Sequence, residues 1–332
     1  MLRTILMLLP VFVMALASVG HSEAIDHARR RGPVPMELEL VREFDPGLSE
    51  FPKGIAFDRY GGVYVGMQML GQVRKLARDG SEEIIATIPF DGPPGTGFLP
   101  AIALVEGWIG ARNAIYASFV DGHTGAATGV YKISRDGTLS RVPGSEAISF
   151  GNGMTADRRG NVYVSNSTTG SIWRIRHDSG AVELWAQDPL LEGDGSLGFG
   201  VPLGAGGLAL DGRSLLVTVE EKARVVRIDI DRDGSAGNVS VVVEDSSLYM
   251  TEGVALGRDR SIYISSWYNS TLSVLDRRGN LSVIADSEDG LLGPVTLAFG
   301  KGLHSRYLYI VNQSGFIFPD PKPALYRIKV GP

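Results

Sequence analysis

The stretch Phe150–Ile175 reads FGNGMTADRRGNVYVSNSTTGSIWRI, and it decides the fold. It opens with a glycine-rich turn and a short apolar run, which ends at the turn Asp157–Gly160. A second predicted strand covers Asn161–Ser165, and a polar hairpin leads into a third, over Ser171–Arg176. Short apolar runs separated by glycine-rich and polar turns predict an antiparallel meander. Because one meander cannot bury both of its faces, it needs copies of itself to pack against.

Five further copies of this unit follow the same pattern along the chain. Each copy starts with a small or polar residue followed by alternating apolar residues, and the six anchors are Gly54, Ala101, Gly153, Gly207, Gly253 and Thr296. They are spaced by about 43 to 54 residues, close to the period of a four-stranded propeller blade. Asp-Gly pairs between apolar runs mark hairpins. The sequence therefore predicts an all-β fold, a six-bladed β-propeller with four-stranded antiparallel blades.

The two ends of the chain predict how the ring closes. Residues 36–43 alternate apolar and acidic side chains, as an outer strand does, whereas the sixth copy stops early, at Lys329-Val330. We therefore expect the N-terminal strand to complete the last blade.

The first residues have the features of a targeting signal. One positive charge in Met1-Leu2-Arg3 precedes the apolar run Ile5–Ala17, and Ala15-Leu16-Ala17 has the small-x-small pattern of a cleavage site. The run is shorter than the about 20 residues that span a bilayer. We expect residues 1–24 to be a signal peptide and 25–332 to form the propeller, secreted or periplasmic. An uncleaved membrane anchor is the alternative.

The charge and cysteine content narrow the range of partners. The chain of 332 residues has 32 basic and 37 acidic residues, a net charge of −5 and no cysteine. Nucleic acids and anionic membranes select basic surfaces, so neither is expected to bind, and no disulfide can form. The expected partner is a small-molecule substrate, and we expect a monomer.

The candidate active site lies on the propeller axis. The inner strand of each blade lines the central channel, so the residues before the six anchors should meet there: Lys53, Pro100, Asn152, Gly206, Glu252 and Val295. Lys53, Asn152 and Glu252 are the polar members, and we predict them to be the catalytic group because buried charges need partners. In the alternative interpretation Lys53 and Glu252 form an ion pair that only fills the channel.

The segments above the channel supply candidate substrate contacts. His123, Trp267 and Tyr268 lie in hairpins of blades two and five and are predicted to contact a ligand from above. Glu220-Glu221, in the equivalent hairpin of blade four, is a further candidate for such a contact, but we interpret the pair as a surface feature. Segments 91–97 and 193–204 are long turns of the kind that cover a pocket mouth.

Several copies also resemble a known family. Asn152-Gly153-Met154, Glu252-Gly253-Val254-Ala255, and Pro294–Gly300 followed by Tyr307–Ile310 resemble the senescence marker protein/gluconolactonase (regucalcin) family, and more distantly paraoxonases and strictosidine synthases. The resemblance implies an axial divalent metal, usually Ca²⁺. In that family the metal is held by a glutamate of blade one, asparagines of blades three and four, and an aspartate of blade five that helps to activate water.

The ligand set that the resemblance implies is incomplete in this chain. Asn152 matches the blade-three asparagine, and Glu252 replaces the blade-five aspartate, so these two are the candidate metal ligands. Lys53 stands where the blade-one glutamate belongs, and Gly206 where the blade-four asparagine belongs. Ca²⁺ requires six to eight oxygen ligands. Ca²⁺ is the one cofactor that the resemblance suggests, although its ligand set is incomplete here, and no other cofactor is expected.

Three functions remain open at this level. The first, which we prefer, is a lactonase or esterase-like hydrolase. The second is a metal-independent cyclase or lyase of a natural-product pathway, similar to a Diels-Alderase or strictosidine synthase, with Glu252 as general base and Lys53 as its electrostatic partner. The third is a non-catalytic propeller that binds a ligand.

Overall fold

The computed structural model describes residues 37–77, 79–106, 113–134, 136–315 and 318–330. The predicted signal peptide, residues 1–24, lies outside this part of the chain. Within it, no helix is long and apolar enough to cross a membrane. The helices are single 3₁₀ turns at Pro46–Leu48, Ser145–Ala147, Pro189–Leu191, Ser246–Leu248, Ser287–Asp289 and Gly302–His304.

The strands form six antiparallel sheets, which confirms the predicted six-bladed propeller. The first strand, β1 (Glu39–Glu43), belongs to the last sheet. Blade one is β2 (Pro52–Phe57), β3 (Val63–Met67), β4 (Gln72–Leu76) and β5 (Glu82–Thr87). Blade two is β7 (Ile102–Val105), β8 (Ala114–Asp121), β9 (Gly129–Ser134) and β10 (Leu139–Arg141), with the short β6 (Gly97–Phe98) also paired to β8.

The other four blades repeat this order. Blade three is β11 (Gly151–Ala156), β12 (Val162–Asn166), β13 (Ser171–Ile175) and β14 (Val182–Gln187). Blade four is β15 (Ala205–Asp211), β16 (Ser214–Val219), β17 (Arg224–Ile230) and β18 (Ala236–Glu244). Blade five is β19 (Thr251–Leu256), β20 (Ile262–Ser266), β21 (Thr271–Leu275) and β22 (Leu281–Ala285). Blade six is β23 (Pro294–Phe299), β24 (Tyr307–Asn312) and β25 (Ala324–Lys329).

The ring is closed by β1, as the ends of the chain predict. This strand pairs antiparallel with β25, placing Glu39 opposite Arg327. The two side chains form an ion pair of 2.7 Å. One sheet therefore contains both ends of the described chain, which removes an open blade edge.

The hydrophobic core lies between neighbouring blades. Tyr163 of blade three, for example, packs edge to face against Trp185 at 5.0 Å, and both join leucines and valines of blade four in one buried cluster. The alternating apolar residues on both faces of each meander produce this arrangement, because each sheet is covered by a neighbour on either side.

Buried hydroxyl groups on the second strands tie the inner strands together. Ser165 Oγ accepts from Gly153 N at 2.7 Å and donates to Gly206 O of the next blade at 2.6 Å. Equivalent bonds to the next blade are made by Ser118, Thr218 and Ser265 at 2.5 to 2.9 Å. These bonds satisfy backbone groups of the inner strands of blades three to six and hold the starts of these four strands in place.

The N-face is the face of the propeller on which the inner strands begin, and the C-face is the face on which they end.

Candidate functional site

Three inner strands carry the polar residues predicted for the axis. Lys53, Asn152 and Glu252 are the second residues of β2, β11 and β19, and in each strand the pairing register shifts at this point. A bulge of this kind redirects a side chain out of the regular alternation. The structure thus brings the three predicted residues together on the axis, although their catalytic role stays a prediction.

Glycines directly after these residues allow the inner strands to approach closely. A Cβ atom at Gly153 would lie 2.2 Å from Gly206 O, and one at Gly253 would lie 2.1 Å from Val295 O. No side chain fits at such distances. The glycines therefore set the narrow start of the channel in which the polar residues meet.

Glu252 is the centre of the polar group. Lys53 Nζ lies 3.2 Å from Glu252 Oε1, and Asn152 Nδ2 lies 3.5 Å from Glu252 Oε2, which is the outer limit of a hydrogen bond. The side chains of Lys53 and Glu252 are only 7% and 12% exposed. A buried ion pair in this setting holds the carboxylate in one orientation.

A fourth residue, Glu220, completes the group and was not predicted. It follows β16 and is 1% exposed, so the interpretation of Glu220-Glu221 as a surface feature was wrong. Its Oε1 accepts from Asn152 Nδ2 at 2.7 Å and from Ser167 Oγ at 3.0 Å. Gly206 makes room for it, because a Cβ atom there would lie 2.9 Å from Glu220 Oε1.

The surroundings of Glu220 shift its protonation. Burial, reinforced by the charge of Glu252, raises the pKa of Glu220 to about 8, although Lys53, Asn152 and Ser167 act in the opposite direction. At neutral pH the Glu220 carboxyl is therefore mainly protonated and neutral. A carboxyl group whose pKa is raised by burial and a neighbouring charge is typical of functional sites.

One acceptor atom in this group has no partner. Within the described residues, Asn152 Oδ1 is buried and forms no hydrogen bond, while the nitrogen of the same amide contacts both carboxyl groups. A buried amide oxygen without a donor costs free energy, about 1–3 kcal/mol. The polar group therefore contains one buried acceptor that is unsatisfied within the described residues.

A cavity of about 270 Å³ extends from Asn152 and Glu252 along the inner strands. Residues at the far ends of these strands surround it, among them Leu104, Phe299 and Lys301. Because these strands run from the N-face to the C-face, the cavity lies on the C-face side of the polar group. Glu252 and Asn152 line the end of the cavity that is nearest the N-face. Lys53 and Glu220 lie behind these two residues and do not line the cavity.

The three predicted substrate contacts are on the N-face and do not line this cavity. His123 is exposed, and its backbone N–H donates to Asp121 Oδ1 at 2.9 Å. Trp267 is half-buried and packs against Phe318 at 5.9 Å. Tyr268 is 38% exposed. The structure separates these residues from the cavity, and their contact with a ligand stays a prediction.

Glu221 anchors the predicted covering segment 193–204. Its buried carboxylate accepts four backbone N–H groups of this segment at 2.7 to 3.1 Å, from Asp194, Gly195, Leu197 and Leu203. Glu220 thus lies on the axis, whereas Glu221 lies under a surface loop.

The residues on the axis do not fit the divalent cation that the resemblance implies. The Lys53 ammonium lies within 3.2 Å of Glu252, where a cation would coordinate, and the nitrogen rather than the oxygen of Asn152 faces the carboxyl groups. The described residues also contain no cluster of three or more His, Cys, Asp or Glu side chains suited to a metal. Six to eight oxygen ligands for Ca²⁺ are not assembled here.

Comparison with known proteins relates the chain to others through its fold. No protein-family model and no curated protein matches the sequence. Similar solved structures include a luciferin-regenerating enzyme (13% identity, 90% of this chain and 96% of that chain, TM-score 0.64). A gluconolactonase from Xanthomonas campestris (15%, 91% and 99%, 0.58) and a streptogramin B lyase (15%, 90% and 100%, 0.55) are also similar. At these identities the similarity shows the six-bladed fold, and membership of the gluconolactonase family stays a prediction.

Proposed function

We propose that this propeller is an enzyme in which Glu252 acts as general base on a small molecule bound in the axial channel, and that it hydrolyses a lactone or ester. The observation that carries the proposal is the position of Glu252. Its carboxylate borders the cavity and is held from behind by Lys53 at 3.2 Å and Asn152 at 3.5 Å.

The proposed step follows from this geometry. Glu252 takes a proton from a water molecule while the oxygen of that water bonds to the carbonyl carbon of the substrate. The carbon–oxygen bond of the lactone or ester then breaks, and the leaving oxygen receives the proton from Glu252. A carboxylate that shuttles one proton in this way typically contributes about 10²–10⁴-fold to the rate. Lys53 serves as a positioning residue, because its ammonium orients the carboxylate.

The proposed mechanism is independent of a metal ion. Lys53 Nζ lies 3.2 Å from Glu252 Oε1, at a position where a cation would coordinate this carboxylate. This interpretation rests on the donor atoms present on the axis.

Turnover of a lactone panel tests the proposal. The panel runs from γ-butyrolactone to alkyl-substituted δ-lactones and aryl esters. The protein is first dialysed against EDTA, and hydrolysis is then measured as proton release. We expect turnover that survives dialysis and falls at least about 100-fold in Glu252→Gln. Glu83→Gln, at an exposed position on β5, is the matched control and should be unchanged. Equal rates in wild type and Glu252→Gln would contradict the proposal and favour a binding propeller.

A metal-independent cyclase or lyase is the second candidate, favoured by the low solvent exposure of Glu252. With 12% of its side chain exposed beside partly apolar walls, the base could also take a proton directly from the substrate. Reaction in ¹⁸O-labelled water separates the two chemistries. Hydrolysis introduces one labelled oxygen into the acid product, whereas ring formation or elimination introduces none.

A further inference from the structure

The two faces of the propeller differ in charge. Among the described residues, the connections between strands on the N-face contain thirteen Asp and Glu residues besides Glu220, and only two basic residues, Lys222 and Lys322. On the C-face, a first hairpin joins the first strand of each blade to the second. The described residues of these first hairpins include eight Lys and Arg and four Asp and Glu. The net charge of −5 is therefore distributed unevenly, with a positive region on the C-face.

The positive region lies close to the propeller axis. The second hairpins, which join the third strand of a blade to the fourth, lie farther out on the C-face, and their described residues include four basic and six acidic ones. The first hairpins, in contrast, follow directly after the inner strands. Ala156 and Phe299 end two of these strands and line the cavity, and Arg158 and Lys301 come two residues after them. The excess of basic residues therefore lies beside the C-face end of the cavity.

The acidic and basic side chains of the first hairpins differ in their contacts. Asp58 and Asp157 are held within their own turns, where each Oδ1 accepts two backbone N–H groups at 2.8 to 2.9 Å. The side chains of Arg158, Arg258 and Arg306 are exposed and form no ion pair with a described residue. These three guanidinium groups are therefore available to a ligand of opposite charge.

The uneven charge distinguishes between ligands. A region of one sign beside a cavity raises the local concentration and the association rate of ligands of opposite charge, by about 10- to 1,000-fold in favourable cases. An anion is attracted by the first hairpins and repelled by the acidic N-face, so the charge alone favours its approach from the C-face. The acidic side chain of Glu252 at the other end of the cavity repels an anionic group toward Lys301.

We infer that the substrate is an anionic small molecule that approaches the C-face and directs its anionic group toward the first hairpins while its carbonyl carbon faces Glu252. The inference rests on the proposed function for the identity of the site, and it adds the charge of the substrate and the face that it approaches. Hydrolysis creates one further carboxylate beside Glu252, and the same charge distribution draws this product group toward the C-face.

A pair of non-hydrolysable probes tests the charge of the substrate by binding alone. In 3-oxocyclopentane-1-carboxylate a methylene group replaces the ring oxygen of a γ-lactone carboxylate, and the corresponding carboxamide is neutral and of nearly the same size. In calorimetric titrations we expect the carboxylate to bind at least about fivefold more tightly than the carboxamide at about 20 mM salt, and the preference to disappear at about 500 mM salt. Equal affinities at low salt would overturn the inference, as would binding of anionic phosphatidylglycerol vesicles but of neither probe. The outcome does not depend on turnover, so it is separate from a failure of the proposed hydrolysis.

Two matched double variants locate the attraction on the C-face. Arg158→Gln/Arg258→Gln removes two charges from the first hairpins, and Arg232→Gln/Arg277→Gln removes two from exposed positions of the second hairpins. We expect the first double variant to lose at least about half of the preference for the carboxylate probe at low salt, and the second to retain nearly all of it, because screening limits the effect of distant charges. Thermal unfolding shows whether both variants are folded. An undiminished preference in the first double variant, or equal losses in the two, would overturn the role of the first hairpins.

Discussion

Lys53 and Glu252 form a buried ion pair of 3.2 Å between residues that are 199 positions apart in the chain. The pair joins blade one to blade five across the axis, so it depends on closure of the whole ring. The Glu252 side chain in this pair is only 12% exposed. Breaking the pair from one side leaves an uncompensated buried charge.

Lys53→Met should therefore lower the free energy of unfolding by about 3–5 kcal/mol. The double variant Lys53→Met/Glu252→Gln should recover part of this loss, because it removes the remaining charge as well. Urea denaturation measures both. The control is Lys222→Met, which breaks the surface pair of Lys222 with Asp194 at 2.8 Å. That change should cost no more than about 1 kcal/mol. Equal losses in the two single variants would contradict a buried pair.

The protonation of Glu220 predicts a specific pH dependence of stability. The pKa of Glu220 is raised from its ordinary value of 4.5 to about 8 in the folded protein. Between these pH values the folded protein retains a proton that the unfolded chain has released. The contribution of this site is thus fully present below pH 4.5, falls by about 1.4 kcal/mol per pH unit above it, and is lost once Glu220 ionises near pH 8.

Glu220→Gln should remove this dependence. We expect the difference in unfolding free energy between Glu220→Gln and wild type to grow in favour of the variant from pH 5 to pH 8, as measured by denaturation at fixed pH values. Glu83→Gln, at an exposed position, controls for the loss of a carboxylate elsewhere. A constant difference across this range would show that Glu220 is ionised throughout.

The fold was predictable because its determinants are local. Asp-Gly turns and short apolar runs recur at the blade period, and the same period places Lys53, Asn152 and Glu252 at equivalent positions of different inner strands. Their meeting on the axis then follows from closure of the ring. Bulges at the same positions, which the sequence pattern did not predict, direct the side chains inward.

The role of Glu220 was missed because it depends on residues far apart in the chain. Its side chain fits only because Gly206 has none, and its partners Asn152 and Ser167 belong to the preceding blade. One local signal was present: the acidic pair follows the apolar run Ser214–Val219, which is buried at every position. The position of the cavity is likewise a property of how the six inner strands diverge, which no single repeat encodes.

The hydroxyl bonds between blades predict a cost for a small change behind Glu252. Thr218 Oγ1 accepts from Gly207 N at 2.7 Å and donates to Glu252 O at 2.9 Å. Thr218→Val keeps the volume but leaves both backbone groups without this partner, at a cost of about 1–3 kcal/mol. It should also lower turnover, because the backbone that carries Glu252 is no longer held. Thermal unfolding and activity assays measure both effects. Thr87→Val, at an exposed position of β5, is the control. Equal effects of the two substitutions would show that the Thr218 bond does not position Glu252.

A carboxylate in place of the axial lysine is predicted to create calcium binding. Lys53→Glu removes the ammonium and adds carboxylate oxygens beside Glu252 and Glu220. Asn152 Oδ1, which has no hydrogen-bond partner among the described residues, is a further oxygen of this group. Three carboxyl groups in one buried site repel one another, so the variant should be less stable than wild type in EDTA. Added Ca²⁺ should restore the lost stability, by about 2.7 kcal/mol when the free ion exceeds its dissociation constant 100-fold.

Lys53→Gln, which removes the cation without adding a carboxylate, should show no such response, and neither should wild type. Calcium titrations followed by calorimetry and thermal unfolding measure each protein. A wild type stabilised by Ca²⁺ as strongly as Lys53→Glu would mean that Lys53 does not occupy the position of the cation, and the metal-independent mechanism would be wrong.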